Sequence, residues 1–189
     1  MPKLNAANRV GDPRDAFMLL VTTLPSKAEA LAAKLLAYNQ DRQIAQDDLL
    51  YQAEEQLRSQ PTWQNEKLIF LAGQYWNPGL IGLVASDLAE KYYRPTVLVA
   101  VGDGVSRASC RSIPGFDIMA ALEKHSELFE RYGGHAMAAG FSVLNENIPI
   151  VRERLCAYAR EVLRDLEDPV HELETELAPE EITLETYTD

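Results

Sequence analysis

The spacing of apolar and polar positions along the chain changes several times, and each change marks an element. Ala30, Leu31, Leu35, Tyr38, Ile44, Leu49, Leu50 and Leu57 recur at roughly helical spacing, and no glycine or proline interrupts them before Pro61. That spacing predicts one long helix or two stacked helices. Ser26 followed by Glu29 reads as a capping box at its start. Lys67–Gly73 is a short apolar run suited to a buried strand, and Pro95–Val101 is a second. Between them Leu80, Leu83, Val84, Leu88 and Ala89 share one helical face. Strand, helix and strand in this order predict a βαβ unit with a parallel pair. Gly102-Asp103-Gly104 turns the chain into Val105–Ser112, a hairpin partner.

The remaining segments complete the outline. Asp117–Lys124 reads as a short helix capped by Asp117. Ala139–Leu144 reads as a strand following a Gly-Gly-His turn. Asn147–Leu166 reads as a helix with Pro149 in its first turn, where proline is tolerated. Val170–Leu177 alternates as a strand does, and Pro179-Glu180-Glu181 fits the start of another helix. Residues 1–15 are polar and punctuated by Gly11-Asp12-Pro13, a turn signal, and read as the ragged end of something begun upstream. The sum is an α/β fold with a mixed sheet of about five strands flanked by helices. A long connector helix or helix pair precedes that body and is expected to project away from it.

Charge changes the picture in one respect. The net charge of −11 argues against nucleic acid until its distribution is examined. Residues 165–189 hold ten of the 29 acids and none of the 18 basic residues, which leaves 19 acids against 18 bases in residues 1–164. The body is near neutral and the tail is acidic. No apolar run is long enough for a membrane span, and the start lacks a signal peptide. Cys110 and Cys156 show neither metal-ligand spacing nor a disulfide framework, so unpaired thiols in a reducing, cytoplasmic setting are expected.

Four segments place polar groups at the ends of predicted elements. In Asn5-Ala6-Ala7-Asn8-Arg9 an amide and a guanidinium flank small residues. Trp76-Asn77-Pro78-Gly79 leads from a strand into a helix N-terminus, a ready anion site. In Ser109-Cys110-Arg111-Ser112 a strand ends in an arginine beside two hydroxyls, and the planar guanidinium suits phosphate. In Gly133-Gly134-His135-Ala136-Met137-Ala138-Ala139-Gly140 bare amides surround a titratable imidazole. Each also has a plainer reading: Arg9 as a solvated loop charge, Asn77–Gly79 as a simple turn, Arg111 paired to a surface carboxylate, His135 as an ordinary surface or core residue. His125 and His171 have no small-residue setting, and Trp63 and Trp76 read as packing residues. No metal centre, nucleophile triad or Walker-type loop is visible. The sequence offers ways to hold phosphate and no evident way to break a phosphate bond.

Taken in order, these segments resemble the C-terminal part of the DHH phosphoesterase superfamily, specifically its RecJ-type branch. The matching stretches are Lys3–Arg9, Trp76–Ser86, Cys110-Arg111-Ser112 with Gly115–Ile118, and Gly133–Gly140, and the resemblance covers about residues 3–177. It implies that residues 1–25 end an upstream DHH domain and residues 26–60 are connector helices. Residues 61–166 would be the DHH-associated nucleic-acid-binding domain, and residues 167–189 the truncated start of an oligonucleotide-binding-like domain. The upstream domain would hold two divalent metals, manganese or magnesium, and this piece none, so it would be inactive alone. The implied activity of the whole is hydrolysis of single-stranded DNA from its 5′ end in repair and recombination. His135 would be the catalytic contact, adding charge at the reacting phosphorus. Arg111, Ser112, Gly133, Gly134, Arg9 and Asn5 would bind substrate. Implied partners are single-stranded DNA and the upstream domain of the same chain, with no membrane; the long apolar stripe also suggests a homodimer of the piece. Asn8, Lys3, Asn77-Pro78 and Cys110 depart from the family pattern. A relative acting on short oligoribonucleotides or cyclic dinucleotides, and a catalytically silent binding module, remain open at this point.

Overall fold

The computed structural model describes residues 2–164. The expectations for Val170–Leu177, for Pro179 onward and for the 167–189 segment lie outside the described residues. Residues 1–15 are more ordered than their polarity predicts. Helix α1 spans Pro2–Val10 and helix α2 spans Pro13–Val21. The Gly11-Asp12-Pro13 signal separates them: the Asp12 side chain accepts from the Arg14 N–H, and Pro13 occupies the first turn. Ala6 and Ala7 are fully buried, and α1 packs on the next helix. Small residues here let two helices approach closely, a reason for Ala-Ala that polarity counting misses.

Helix α3 is a single helix, Pro25–Arg58. Its cap differs from the expectation. Leu24 is the N-cap without a side-chain hydrogen bond and Pro25 sits in the first turn, so Ser26 lies inside the helix and the Ser26–Glu29 box does not form the cap. Nor does the helix project freely. Its first half carries α1 and α2, with the Tyr38 hydroxyl donating to Asp15 at 3.0 Å and Lys34 paired to Asp15 at 2.8 Å. Its last turns bury Leu49, Ala53 and Leu57 against the body.

Five strands follow: β1 Ile69–Gln74, β2 Thr96–Val101, β3 Val105–Arg111, β4 Arg131–His135 and β5 Ala138–Leu144, in the order β1-β2-β3-β5-β4. The β1–β2 pair is parallel and joined through helix α4, Ile81–Tyr92; the other pairings are antiparallel. This is the mixed sheet expected. Helices α5 (Ile118–Glu123, capped by Asp117) and α6 (Ile148–Val162) complete the body.

Alternation along the strands sorts side chains onto two faces. Phe70, Val97, Val99, Cys110, Phe141 and Val143 face α5 and α6 in one core. Ile69, Leu71, Leu98 and Ala100 face α3 and α4 in the other. The second face is only partly roofed. Helix α4 packs on β2 and β3, whereas Arg131–His135 of β4 are all exposed.

Candidate nucleic-acid interface

The half-roofed face has a simple register. Across β3, β5 and β4, Arg111 stands opposite Ala138 and Ala138 opposite His135; Ser109 opposite Gly140 and Gly140 opposite Gly133; Arg107 opposite Ser142 and Ser142 opposite Arg131. Directly paired residues share a face. The floor is therefore glycine, alanine and serine, with cationic groups at both ends. Two adjoining clefts lie over it. One, of about 440 Å³, is lined by Asn5, Asn8, Arg9, Pro78, Gly79, Gly82, Ser109 and Arg111. The other, of about 490 Å³, shares Asn8, Pro78, Gly79 and Ser109 and continues to Arg107 and Arg131. Among the described residues no acid lines either cleft.

Arg111 is the best-anchored group. Its Nε donates to Ser86 Oγ at 3.0 Å, and its Nη1 to the Cys110 carbonyl at 2.8 Å and to Ser109 Oγ at 3.4 Å. Gly82 permits this: a Cβ there would lie 2.9 Å from Ser109 Oγ and 3.0 Å from Arg111 Nη2. Burial lowers the Arg111 pKa below its ordinary value, and the positive charge of Arg9 pushes the same way. Arg9, Arg107, Arg111 and Arg131 form no ion pair with any described residue. The carboxylate pairing considered for Arg111 is thus absent among the described residues. A half-buried guanidinium held by hydroxyls and a carbonyl favours an incoming anion.

Arg9 joins the site through a loop. Its Nη1 donates to the Gly79 carbonyl at 2.7 Å. Asn77 works from both ends: its Oδ1 accepts from the Gly79 N–H at 2.8 Å and its Nδ2 donates to the Arg9 carbonyl at 3.3 Å. Asn77 therefore builds the turn that opens α4 and ties α1 to it, a concrete use for a residue that departs from the family pattern. Cys110 points away from the clefts into the core, opposite Val97 and Ala139, and burial pushes its thiol up to about 12.

Gly133-Gly134-His135 is not a turn. It forms the edge strand β4, and the chain reverses at Ala136 and Met137. The two glycines differ. A Cβ on Gly133 would meet nothing within 4 Å, so this glycine keeps the floor low. Gly134 has φ +149°, and a Cβ there would sit 2.4 Å from the Ala138 oxygen, so this one is required by the backbone. His135 shares a row and a face with Arg111, about 10 Å away across two strand spacings. Ser112 does not join them. Its hydroxyl is buried and donates to the Phe116 carbonyl at 2.6 Å, and its N–H donates to the Met137 carbonyl at 2.9 Å. The hydroxyl in the cleft is that of Ser109. Sequence reading noted Ser109 as one of two hydroxyls beside Arg111 but passed over Arg107 and Arg131, although the alternation Arg107, Ser109, Arg111 already places those three on one face. The described residues contain no group of three or more His, Cys, Asp or Glu able to hold a metal ion. No described helix is long and apolar enough to cross a membrane.

This geometry, a mixed sheet with an open cationic face beside a long helix, defines an α/β domain with a cation-lined cleft. The DHHA1 domain family matches residues 65–164, just over half of the chain, and the chain belongs to that family. It is 34% identical over 192 residues to the single-stranded-DNA-specific exonuclease RecJ of Bacillus subtilis, covering 100% of this chain and 24% of that protein. With RecJ of Thermus thermophilus it shares 34% identity over 172 residues, 91% of this chain and 24% of that protein. Among solved structures it matches T. thermophilus RecJ in complex with Mg²⁺ with a TM-score of 0.78 at 34% identity, over 91% of this chain and 26% of that one. It matches an exonuclease RecJ bound to manganese with a TM-score of 0.74 at 33% identity, over 87% and 41%. The chain thus spans about a quarter of the length of its first curated relative.

Proposed function

We propose that this chain is the substrate-gripping part of a metal-dependent exonuclease that degrades single-stranded DNA from its 5′ end in repair and recombination. The observation that carries the reading is a continuous pair of clefts with four arginines, no described acid and a floor of small residues. Arg111 and Arg9 hold a phosphate at one end. Ser109 adds a hydroxyl, and His135 stands on the same face to add charge as the phosphorus reacts. The names of the relatives, which specify single-stranded DNA, support this substrate. In this reading two divalent ions, manganese or magnesium, are held by an upstream domain of the same protein; the solved RecJ structures in complex with Mg²⁺ and bound to manganese support the choice of ion. This chain alone then binds and does not cut. The buried, unpaired thiols of Cys110 and Cys156 fit a reducing, cytoplasmic setting. Phe17, Leu20, Val21 and Leu24 are exposed; in the isolated chain a second copy covers them, which a monomeric mass in dilute solution would overturn.

The test is single-stranded DNA binding by the wild-type chain, Arg111→Ala and His135→Ala at two salt concentrations. The expected result is weak, salt-sensitive binding that both substitutions reduce, with Arg111→Ala lowering the salt slope by about one. Binding indifferent to both substitutions would remove the site and leave the fold. An RNA strand held as tightly as DNA would favour an oligoribonuclease.

A further inference from the structure

Arg107 and Arg131 lie at the far end of the open face from Arg111, and the proposed function counts them among the cations of the clefts without giving either a ligand group of its own. They stand on β3 and β4, two strands apart, each opposite Ser142. Both are exposed, and neither pairs with any described acid. Two like charges on one sheet face about 10 Å apart repel each other. In a chain with 29 acids, a solvated surface would be expected to intersperse an acid between them. Ser142 stands there instead. The cleft they line adjoins the Arg9–Arg111 cleft, sharing Asn8, Pro78, Gly79 and Ser109 with it, and on the sheet the row between the two ends is Ser109, Gly140 and Gly133.

We infer that Arg107 and Arg131 form a second phosphate-binding station that takes a later phosphate of the same single strand, so that the face reads the length of its ligand as well as its end. This rests on the reading of the Arg111 end given above. Along β3 the two stations are four residues apart, about 13 Å. That is about four nucleotide steps at the stacked rise of ~3.4 Å per strand, and fewer when the strand is stretched. A dinucleotide held at Arg111 does not reach Arg107 and Arg131. An octanucleotide does. The small floor between the stations lets the sugar-phosphate chain pass close to the sheet, and no base-reading group is needed for it.

The experiment compares a 5′-phosphorylated thymidine dinucleotide and octanucleotide on the wild-type chain, on the Arg107→Ala, Arg131→Ala double variant and on Arg111→Ala, across a salt series. Thermal melts confirm that each variant folds, as expected for the exposed Arg107 and Arg131 and checked directly for the half-buried Arg111. The double variant is expected to weaken the octanucleotide about tenfold, to reduce its salt slope by about two and to leave the dinucleotide unchanged. Arg111→Ala is expected to weaken both ligands. A double variant that affects both lengths equally, or neither, while Arg111→Ala still acts, overturns the second station and leaves the proposed function standing. An Arg111→Ala variant without effect, or a wild-type chain that binds no octanucleotide, overturns the proposed function and this inference with it.

Discussion

The two faces of one sheet carry opposite kinds of residue on the same strands. On β5, Ala139, Phe141 and Val143 are buried against α5 and α6, whereas Ala138, Gly140 and Ser142 look into the open cleft. On β3, Ala108 and Cys110 are buried and Arg107, Ser109 and Arg111 are not. The covered face is filled to bury apolar area. The open face gives up that burial, and what it holds instead is charge and empty space. A face built this way contributes little to folding, so packing does not explain its composition.

The largest break in the comparison comes from swapping neighbours on β5. Phe141→Ala removes a ring packed on Phe129 at 4.7 Å and should cost about 3–5 kcal/mol, lowering the melting temperature clearly. Ser142→Ala, one residue on and on the other face, should stay within about 0.5 kcal/mol. Gly134 and Gly133 repeat the contrast on β4. Gly134→Ala should cost about 2–3 kcal/mol, from the positive φ and the clash with the Ala138 oxygen. Gly133→Ala should melt near wild type yet bind single-stranded DNA less well, since its methyl rises into the floor. Equal melts for the two glycine variants would contradict the assigned roles.

A smaller effect tests the seam between α3 and the body. Glu54 is buried and accepts from Lys91 and from Arg58, the latter at 2.5 Å. The hydrogen bond from Lys91, helped by the charges of Lys91 and Arg58, holds the Glu54 pKa below its ordinary value. A lowered carboxylate pKa gives stability that is fully present above the unfolded value of 4.5 and is lost as pH falls through the folded value. Glu54→Gln should therefore cost about 1–3 kcal/mol at neutral pH, and its melting temperature should converge with that of wild type as the solution is acidified below that range. A gap that stays constant into acid would place the effect in packing rather than charge.

Much of this was legible in advance, for identifiable reasons. Strands β1 and β2 are apolar on both faces because they are roofed on both, and such runs stand out in a sequence. Asp117 as a cap and Pro149 in a first turn are local chemistry, and both hold in the structure. The misreadings are tertiary. Gly133-Gly134 looks like a turn because glycine pairs usually are; only pairing with β5 makes it a strand. Ser26–Glu29 satisfies a cap motif that Pro25 pre-empts. Ser112 follows Arg111 in sequence but points to the other side of the sheet, where Phe116 takes its hydrogen bond.

Residue order alone determined the elements that depend on neighbours a few positions away: a helical stretch before Pro61, the buried parallel pair, the Gly102-Asp103-Gly104 turn, and the acidic tail set apart from a near-neutral body. Those features follow from period, capping and composition, which are local quantities. The tertiary structure decided which cations meet. Arg9 reaches the cleft only because Asn77 ties α1 to the start of α4, and Arg107, Arg111, Arg131 and His135 share a face only because β5 lies between β3 and β4. Register sets that juxtaposition, and register is a property of strands far apart in the chain.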